Sequence, residues 1–115
     1  MNKIISKINH GFENTSGKTP EFTAFCRTFK LEFKKLLNTL GCVDLECSNG
    51  HFYISGFFNS AYGQLWYFSL GDVRLMKRPI MLVRTAQHRK DYTGGTNMWV
   101  NLDELAENLT RIIKP

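Results

Sequence analysis

The stretch CVDLECSNGHFYISGFF, residues 42–58, decides the fold because a turn signal lies between two alternating runs. Asn49-Gly50 is a strong hairpin signal, since a two-residue type I′ turn needs positive φ at both central positions and these two residue types tolerate it. Such a turn would place Ser48 opposite His51. The stretch therefore predicts two antiparallel strands joined at these two residues.

This turn also divides the hairpin into two faces, because opposed residues share a face and side chains alternate along a strand. The face that we expect to join the core carries Val43, Leu45, Cys47, Phe52, Ile54 and Phe58. The opposite face carries Asp44, Glu46, Ser48, His51, Tyr53, Ser55 and Phe57. We expect this second face, which is polar apart from Tyr53 and Phe57, to meet water or a partner.

Helical patterns precede the hairpin. Residues 3–12 carry apolar side chains at helical spacing and predict a short amphipathic helix, within an N-terminal arm and loop that extend to residue 18. Thr19 as N-cap, Pro20 in the first turn and Gly41 as a left-handed end predict a long second helix between them. Its apolar stripe consists of Phe22, Phe25, Cys26, Phe29, Phe33, Leu36, Leu37 and Leu40.

Two strands and a helix are predicted after the hairpin. Residues 64–70 and 80–86 are rich in aromatic and β-branched side chains. A C-terminal helix is predicted from Asn101, where Asn101 and Glu104 have the spacing of a capping box. The whole order predicts a single α+β domain over residues 1–115, with a four-stranded antiparallel meander and the helices on one sheet face.

Composition restricts the protein class. The chain has 115 residues of which 43% are apolar, which is enough for one core without disulfides, metals or other cofactors. The amino terminus lacks the apolar region of a secretory signal, and no apolar run is long enough to span a membrane. We therefore expect a cytoplasmic protein whose three cysteines are reduced and mostly buried.

The net charge of +5 is unevenly distributed, because residues 73–90 contain six bases and no acid. Clustered lysine and arginine can bind a phosphate backbone, so direct nucleic-acid binding is one alternative function, and a solvated surface is the other interpretation. The residues that would bind nucleic acid are Arg27, Lys30, Lys34, Arg74, Lys77 and Arg78, together with Arg89 and Lys90.

The segment RTAQHRKDYTGGTNMW, residues 84–99, is long for a connection in so small a domain. It is basic, and Tyr92 and Trp99 flank a Gly-Gly pair, which is typical of binding loops. The alternative is an ordered connection in which Asp91 and Thr93 bond their own backbone and both aromatic rings pack. The predicted partner-binding residues are Tyr53, Phe57, Arg84, His88, Arg89, Lys90, Tyr92 and Trp99.

A zinc site is the third alternative. Cys42, Cys47 and His51 form a C-x4-C-x3-H pattern, and Cys26 or His88 could supply a fourth ligand. The hairpin argues against this site, because Cys47 is predicted to point into the core and His51 away from it. The spacing also differs from the two-residue knuckle of common zinc sites.

Sequence patterns of catalysis are not found. No cysteine stands beside a marked base, and neither a G-x-S-x-G elbow nor a Walker loop occurs. Gly94-Gly95 lacks the strand, helix and Lys-Ser/Thr that a phosphate loop requires. We therefore expect a protein without enzymatic activity.

Five short motifs carry a resemblance, namely GFF, YFS, DVR, RTA and DYTGG. Over residues 22–113 the chain resembles a group of small proteins of unknown function encoded on bacteriophages and conjugative elements. The resemblance implies an accessory protein of a mobile genetic element in a bacterial cytoplasm, and it supplies no catalytic residues. Many such proteins antagonise host defence, so it implies binding to a host protein or nucleoprotein, for which a CRISPR nuclease is one candidate.

Overall fold

The computed structural model describes residues 1–13 and 19–114. Its elements are α1 (Asn2–His10), α2 (Pro20–Thr39), β1 (Val43–Asn49), β2 (Ile54–Asn59), β3 (Leu65–Leu70), β4 (Ile80–Thr85), β5 (Met98–Asn101), a 3-10 helix (Leu102–Glu104) and α3 (Leu105–Ile112). The strands form an antiparallel sheet in the order β1-β2-β3-β4-β5, which is a meander. The predicted α+β fold is confirmed, but the sheet has five strands where four were predicted.

The strand that the sequence did not reveal is β5. It is four residues long and pairs with β4, so that Trp99 lies opposite Leu82. Met98 and Val100 face the core and Trp99 and Asn101 face solvent, so the strand alternates, but four residues with an exposed tryptophan are too short a pattern to recognise. The C-terminal helix exists, but Asn101 ends the strand, its side chain makes no capping hydrogen bond, and α3 begins at Leu105.

The predicted two-residue turn at Asn49-Gly50 is wrong. Asn49 lies opposite Ile54, so the hairpin loop consists of residues 50–53, and the N–H of Gly50 donates to the carbonyl of Tyr53 at 3.0 Å. Within this loop Phe52 adopts a φ of 62° and is 1% exposed. Burial of a phenylalanine ring is worth about 2 kcal/mol or more, which exceeds a local turn preference.

The predicted division into faces holds for most of the hairpin. Leu45, Cys47, Phe52, Ile54 and Phe58 belong to the core or pack against it. Val43 is an exception and is 53% exposed, because the register shifts between Val43 and Glu46, where Asp44 has a φ of 59°. This bulge inserts one residue and reverses the side on which Val43 lies.

The long helix α2 covers the core face of the sheet, as predicted. The hydroxyl oxygen of Thr19 accepts from the N–H of Phe22 at 3.1 Å, and Gly41 follows the helix with a φ of 74°. Its buried side chains are Phe22, Phe25, Phe29, Phe33 and Leu37. The ring of Phe33 meets that of Phe68 on β3 edge to face at 4.9 Å. This aromatic layer joins helix and sheet.

The first helix, α1, is confirmed and ends at His10. It buries Ile4 and Ile8, and Phe12 beyond its end packs on Phe25 at 5.3 Å. The polar loop predicted at residues 13–18 lies, apart from its first residue, outside the described part of the chain. None of the helices in the described residues is long and apolar enough to cross a membrane.

Candidate functional site

The face of the sheet opposite the helices presents two rows of side chains across neighbouring strands. One row runs from β1 to β4 and consists of Glu46, Phe57, Tyr67 and Arg84. The other row runs from β1 to β5 and consists of Ser48, Ser55, Ser69, Leu82 and Trp99. The outer face therefore has an aromatic row and a polar row, and the polar row ends at a tryptophan.

Residues 86–97, here called the covering loop, fold back over the aromatic row. The ring of Tyr92 lies 5.7 Å from that of Phe57 and 6.0 Å from that of Tyr67, between centroids. Phe57 is consequently 3% exposed. The sequence placed this ring on the outer face correctly, but its predicted direct contact with a partner is not possible in this conformation, because Tyr92 covers it.

Arg84 is buried beneath the same loop and is 2% exposed. Its Nη2 donates to the carbonyl of Asp91 at 2.6 Å and its Nη1 to that of Thr85 at 3.2 Å. The guanidinium also lies over the ring of Tyr67, with Cζ 4.4 Å from the centroid. Arg84 therefore lies on the outer face, as predicted, but the covering loop buries it, so that it attaches the loop to the sheet and does not reach solvent.

Asp91 organises the covering loop. Its carboxylate accepts hydrogen bonds from the backbone N–H groups of Gln87 at 3.0 Å, Thr93 at 3.3 Å and Gly94 at 2.8 Å. The bonds from Gln87 and Gly94 are the main cause that lowers the pKa of Asp91, with smaller contributions from Thr93 and from the Arg84 charge. These bonds confirm the part of the ordered-connection alternative that concerns Asp91, whereas Trp99, which that alternative expected to pack, is 62% exposed.

The covering loop is also attached to the edge strand β1, through Arg89 near the start of the loop. Arg89 donates from Nη2 to the carbonyl of Asp44 at 3.0 Å, and its Nη1 lies 3.4 Å from a carboxylate oxygen of Glu46. His88 and Lys90 are exposed on either side of it, and the backbone N–H of Lys90 donates to Nδ1 of His88 at 3.2 Å. Arg89 is thus engaged within the protein, whereas its two neighbours face solvent.

Three of the aromatic residues predicted to bind a partner are exposed: Tyr53 by 47%, Tyr92 by 60% and Trp99 by 62%. Trp99 differs from the other two because it borders a groove of about 430 Å³. The side chains that form this Trp99 groove are Leu75, Met76, Lys77, Arg78, Ile80 and Trp99. Leu75 is 76% exposed, so two large apolar side chains meet solvent at one place.

Sequence reasoning missed Leu75 and Met76 because they lie between two predicted strands, in a connection that was interpreted only by its charge. The sequence did contain a signal for these two residues. They are adjacent apolar residues in a basic connection, and they do not fit the alternating pattern of the strand on either side. Such residues are either buried locally or exposed for contact, and Leu75 is exposed.

The charge at the groove comes from Lys77 and Arg78, which are exposed at its rim. Asp72 also borders the groove, but Arg74 holds it through contacts of 2.5 Å between Nη2 and Oδ2 and 2.9 Å between Nε and Oδ1. The hydrogen bond from Arg74 is the main cause that lowers the pKa of Asp72. Arg74, predicted to bind nucleic acid, is therefore paired, and its guanidinium lies over the ring of Phe52.

The remaining bases of the predicted nucleic-acid set lie elsewhere. Arg27, Lys30 and Lys34 are on the solvent side of α2, which packs on the core face of the sheet. Lys77 and Arg78 belong to the groove on the outer side. Arg89 and Lys90 lie on the covering loop, so the structure spreads the predicted set over separate places and does not bring its members together.

The three candidate zinc ligands lie in different environments. Cys42 is buried, Cys47 packs against the core, and His51 is exposed in the hairpin loop. Within residues 1–13 and 19–114, no group of three or more His, Cys, Asp or Glu side chains is arranged to hold a metal ion.

Burial governs the chemistry of the three thiols. It raises the pKa of Cys26 and of Cys47 to about 11 and also raises the pKa of Cys42. Since the thiolate is the reactive form, these groups are weak nucleophiles at neutral pH.

Comparison with known proteins adds no relative, because neither the protein-family models, the curated proteins nor the solved structures gave a match. The five motifs of the sequence resemblance have architectural places in this fold. GFF and YFS lie in β2 and β3, and DVR contains the Asp72–Arg74 pair. RTA contains the buried Arg84, and DYTGG contains Asp91.

Proposed function

We propose that this protein is a non-enzymatic binding protein that docks on a host protein or nucleoprotein through the Trp99 groove. The observation that carries the proposal is the joint exposure of Trp99, by 62%, and Leu75, by 76%, at one groove. Exposed apolar side chains that cluster mark interaction sites, and tryptophan is the residue that most often dominates binding energy. Burial of each side chain by a partner would contribute about 2 kcal/mol.

The strands that carry these side chains also support binding. Trp99 lies on β5 opposite Leu82 of β4, and Ile80, which is also on β4, borders the groove. A tryptophan on a paired strand loses little freedom when it binds, which favours affinity. Exposed Tyr92 and Tyr53 on the same outer side would act as peripheral contacts.

The rim indicates the chemistry of the target. Lys77 and Arg78 carry positive charge beside the apolar floor, while the one neighbouring carboxylate, Asp72, is neutralised by Arg74. The complementary surface is an apolar patch with acidic residues at its border. In the mobile-element setting that the motifs suggest, the target would be a bacterial defence protein, for example a CRISPR nuclease that the protein inhibits in the host cytoplasm.

Binding of single-stranded nucleic acid is the second candidate, because Trp99 beside Lys77 and Arg78 also combines a stacking platform with cations. The aliphatic side chains of Leu75 and Met76 favour a protein, since bases stack on aromatic rings and phosphates need charge. The dependence of affinity on salt concentration distinguishes the two candidate functions. Nucleic-acid binding should weaken steeply with ionic strength, whereas an apolar anchor should not.

The test is capture of a target from a lysate of the bacterial host, followed by measurement of its affinity with purified components. We expect Trp99→Ala and Leu75→Ala each to weaken that affinity by about 30-fold, which corresponds to about 2 kcal/mol. Tyr62→Ala is the matched control, because Tyr62 is an aromatic residue that is 57% exposed and does not border the groove.

Two results would contradict the proposal. The first is equal affinity of Trp99→Ala and Tyr62→Ala for the captured target. The second is tight, salt-sensitive binding of free oligonucleotide that Trp99→Ala abolishes, which would establish the second candidate.

A further inference from the structure

The border between α2 and the edge strand β1 carries two adjoining clefts, of about 240 and 330 Å³. Arg27 borders the first, Lys34 borders the second, and Lys30 borders both. We call this border the α2–β1 seam. It belongs to the helix side of the protein, so it is distinct from the Trp99 groove on the outer sheet face.

Three cations lie in line along the seam. A helix rises 1.5 Å per residue, so Lys30 is about 4.5 Å and Lys34 about 10.5 Å beyond Arg27 along the axis. All three are exposed, and none makes an ion pair or hydrogen bond within residues 1–13 and 19–114. The Lys30 charge also acts on Cys47, where it partly opposes the rise in pKa that burial causes, so its ammonium group lies near that strand.

One acidic residue faces these cations. Asp44 borders the second cleft, and its Oδ2 accepts a hydrogen bond from Nδ2 of Asn59 at 3.2 Å. The first cleft has no carboxylate, and its polar border consists of Thr23, Ser48 and Asn49 besides the two bases. The seam therefore has a net positive charge without an internal partner.

The backbone of β1 adds a second property to the seam. This strand is first in the sheet order, and within residues 1–13 and 19–114 it pairs only with β2, which leaves its other edge without a strand partner. The bulge at Asp44 disturbs the start of the strand, but residues 46–49 stay in unbroken register. An unpaired, regular edge accepts an extended chain as an additional strand.

We propose that the α2–β1 seam binds an extended acidic peptide segment, which adds to β1 as a further strand and places carboxylates against Arg27, Lys30 and Lys34. Alternate side chains of a strand are about 6.7 Å apart, close to the rise of about 6 Å between Lys30 and Lys34 along the helix axis. Exposed Val43, which the bulge turns to the other side of β1, borders the second cleft and would contact an aliphatic side chain on the other face of such a segment.

A peptide fits this seam better than nucleic acid does. No aromatic side chain borders either cleft, so unpaired bases would find no stacking platform. The edge strand offers backbone donors and acceptors in the spacing of another strand, which a sugar-phosphate chain cannot match. The proposal is independent of the Trp99 groove, because the two sites share no residue.

The test uses a labelled decapeptide of alternating Glu and Val and measures its binding to the full chain by fluorescence anisotropy. Two further peptides carry N-methyl groups on either the odd or the even residues. Strand addition uses the amides of alternate residues only, so we expect one methylated peptide to bind like the parent and the other to lose binding. Charge and composition are identical in the two.

Protein variants locate the site. We expect Lys30→Ala to weaken binding of the parent peptide about fivefold, because the substitution removes one exposed ion pair. Lys35→Ala is the matched control, because Lys35 is an exposed lysine of the same helix that borders neither cleft. A Trp99→Ala protein should bind this peptide normally even if the groove proposal fails.

Several outcomes would overturn the inference. Equal binding of both methylated peptides would show charge attraction without strand addition. Equal effects of Lys30→Ala and Lys35→Ala would place the peptide elsewhere. Displacement of the peptide by oligothymidylate at lower concentration than by unlabelled peptide would assign the seam to nucleic acid, and absence of peptide binding would end the proposal.

Discussion

The guanidinium of Arg84 lies over the ring of Tyr67, with Cζ 4.4 Å from the ring centroid, while its Nη2 donates to the carbonyl of Asp91 at 2.6 Å. One residue of β4 thereby contacts both the sheet face and the covering loop. A guanidinium that is 2% exposed requires such partners, because an unpaired buried charge is costly. The carboxylate of Asp91 lies 3.9 Å from Nη1 and adds an opposite charge.

Substitution of Arg84 tests this arrangement. We expect Arg84→Ala to lower the free energy of unfolding by about 3 kcal/mol, because it removes a buried cation and leaves loop carbonyls unpaired. Arg84→Lys keeps the charge without the planar fork and should have an intermediate effect. Urea denaturation measures both.

Arg89→Ala provides the comparison, since the contact between Arg89 and Glu46 is largely exposed and should contribute less than about 1 kcal/mol. Equal losses for the two alanine variants would show that Arg84 does not have the structural role assigned to it.

The loop should respond to acid through Asp91. Its pKa is lowered in the folded protein, so the stabilisation is complete above the ordinary value of 3.8 and is lost as the pH falls through the lower folded value. We expect the hydrogen-exchange protection factors of Gln87 and Gly94 to fall below that pH while those of β2 persist.

Asp91→Asn is the sharper form of this experiment. The amide oxygen is a weaker acceptor and carries no charge, so protection of the same amides should already be reduced at neutral pH and should no longer depend on acid. Unchanged protection in this variant would mean that Tyr92 packing and the bonds of Arg84 and Arg89 hold the loop without the carboxylate.

Much of the fold follows from the sequence where local and global preferences agree. Thr19, Pro20 and Gly41 mark the ends of α2, and the same residues are suited to those positions by capping and dihedral preference. At the hairpin the two preferences conflict. Asn49-Gly50 favours a tight turn, but burial of Phe52 requires a longer loop, and such a tertiary effect is not visible in a local pattern.

The candidate site was harder to predict for a related reason. Exposure of Trp99 and Tyr92 was expected from their segment, yet Arg84 in the same segment is buried, because the chain folds back over the sheet at Asp91. A charge pattern gives no indication of such a reversal. Leu75 shows the converse case, an apolar residue that the fold leaves exposed.

Gly56 is required by a close approach of two strands. A Cβ at this position would lie 1.8 Å from the carbonyl oxygen of Glu46, and neither backbone can retreat within paired strands. We expect Gly56→Ala to lower the free energy of unfolding by about 3 kcal/mol. Gly71→Ala, where a Cβ meets nothing within 4 Å, should stay within about 0.5 kcal/mol of the parent. Thermal unfolding that ranks the two equally would contradict this account.

The cysteines should react slowly. With a pKa of about 11, Cys26 and Cys47 have about 100-fold less thiolate at pH 8 than a thiol at 9.0, so alkylation by iodoacetamide should be slower by a similar factor. The alkylation rate should rise about tenfold per pH unit up to pH 10. After unfolding in urea it should equal the rate of an ordinary exposed thiol. Peptide mapping by mass spectrometry gives the rate for each cysteine. Fast alkylation of either residue at pH 7 would indicate an activated thiol and reopen the question of catalysis.

Trp66 offers the last test, because its indole Nε1 is buried without a hydrogen-bond partner in the described part of the protein. A buried unpaired donor costs about 1–3 kcal/mol, so Trp66→Phe removes that penalty while it loses part of the ring contact. The two effects oppose each other, and we expect the free energy of unfolding to change by less than about 1 kcal/mol. Phe68→Leu, at a site that is 0% exposed and has no polar atom, should cost about 1–2 kcal/mol. A larger loss for Trp66→Phe than for Phe68→Leu would mean that the lost contacts of the indole outweigh the penalty of an unpaired N–H, which would contradict this account.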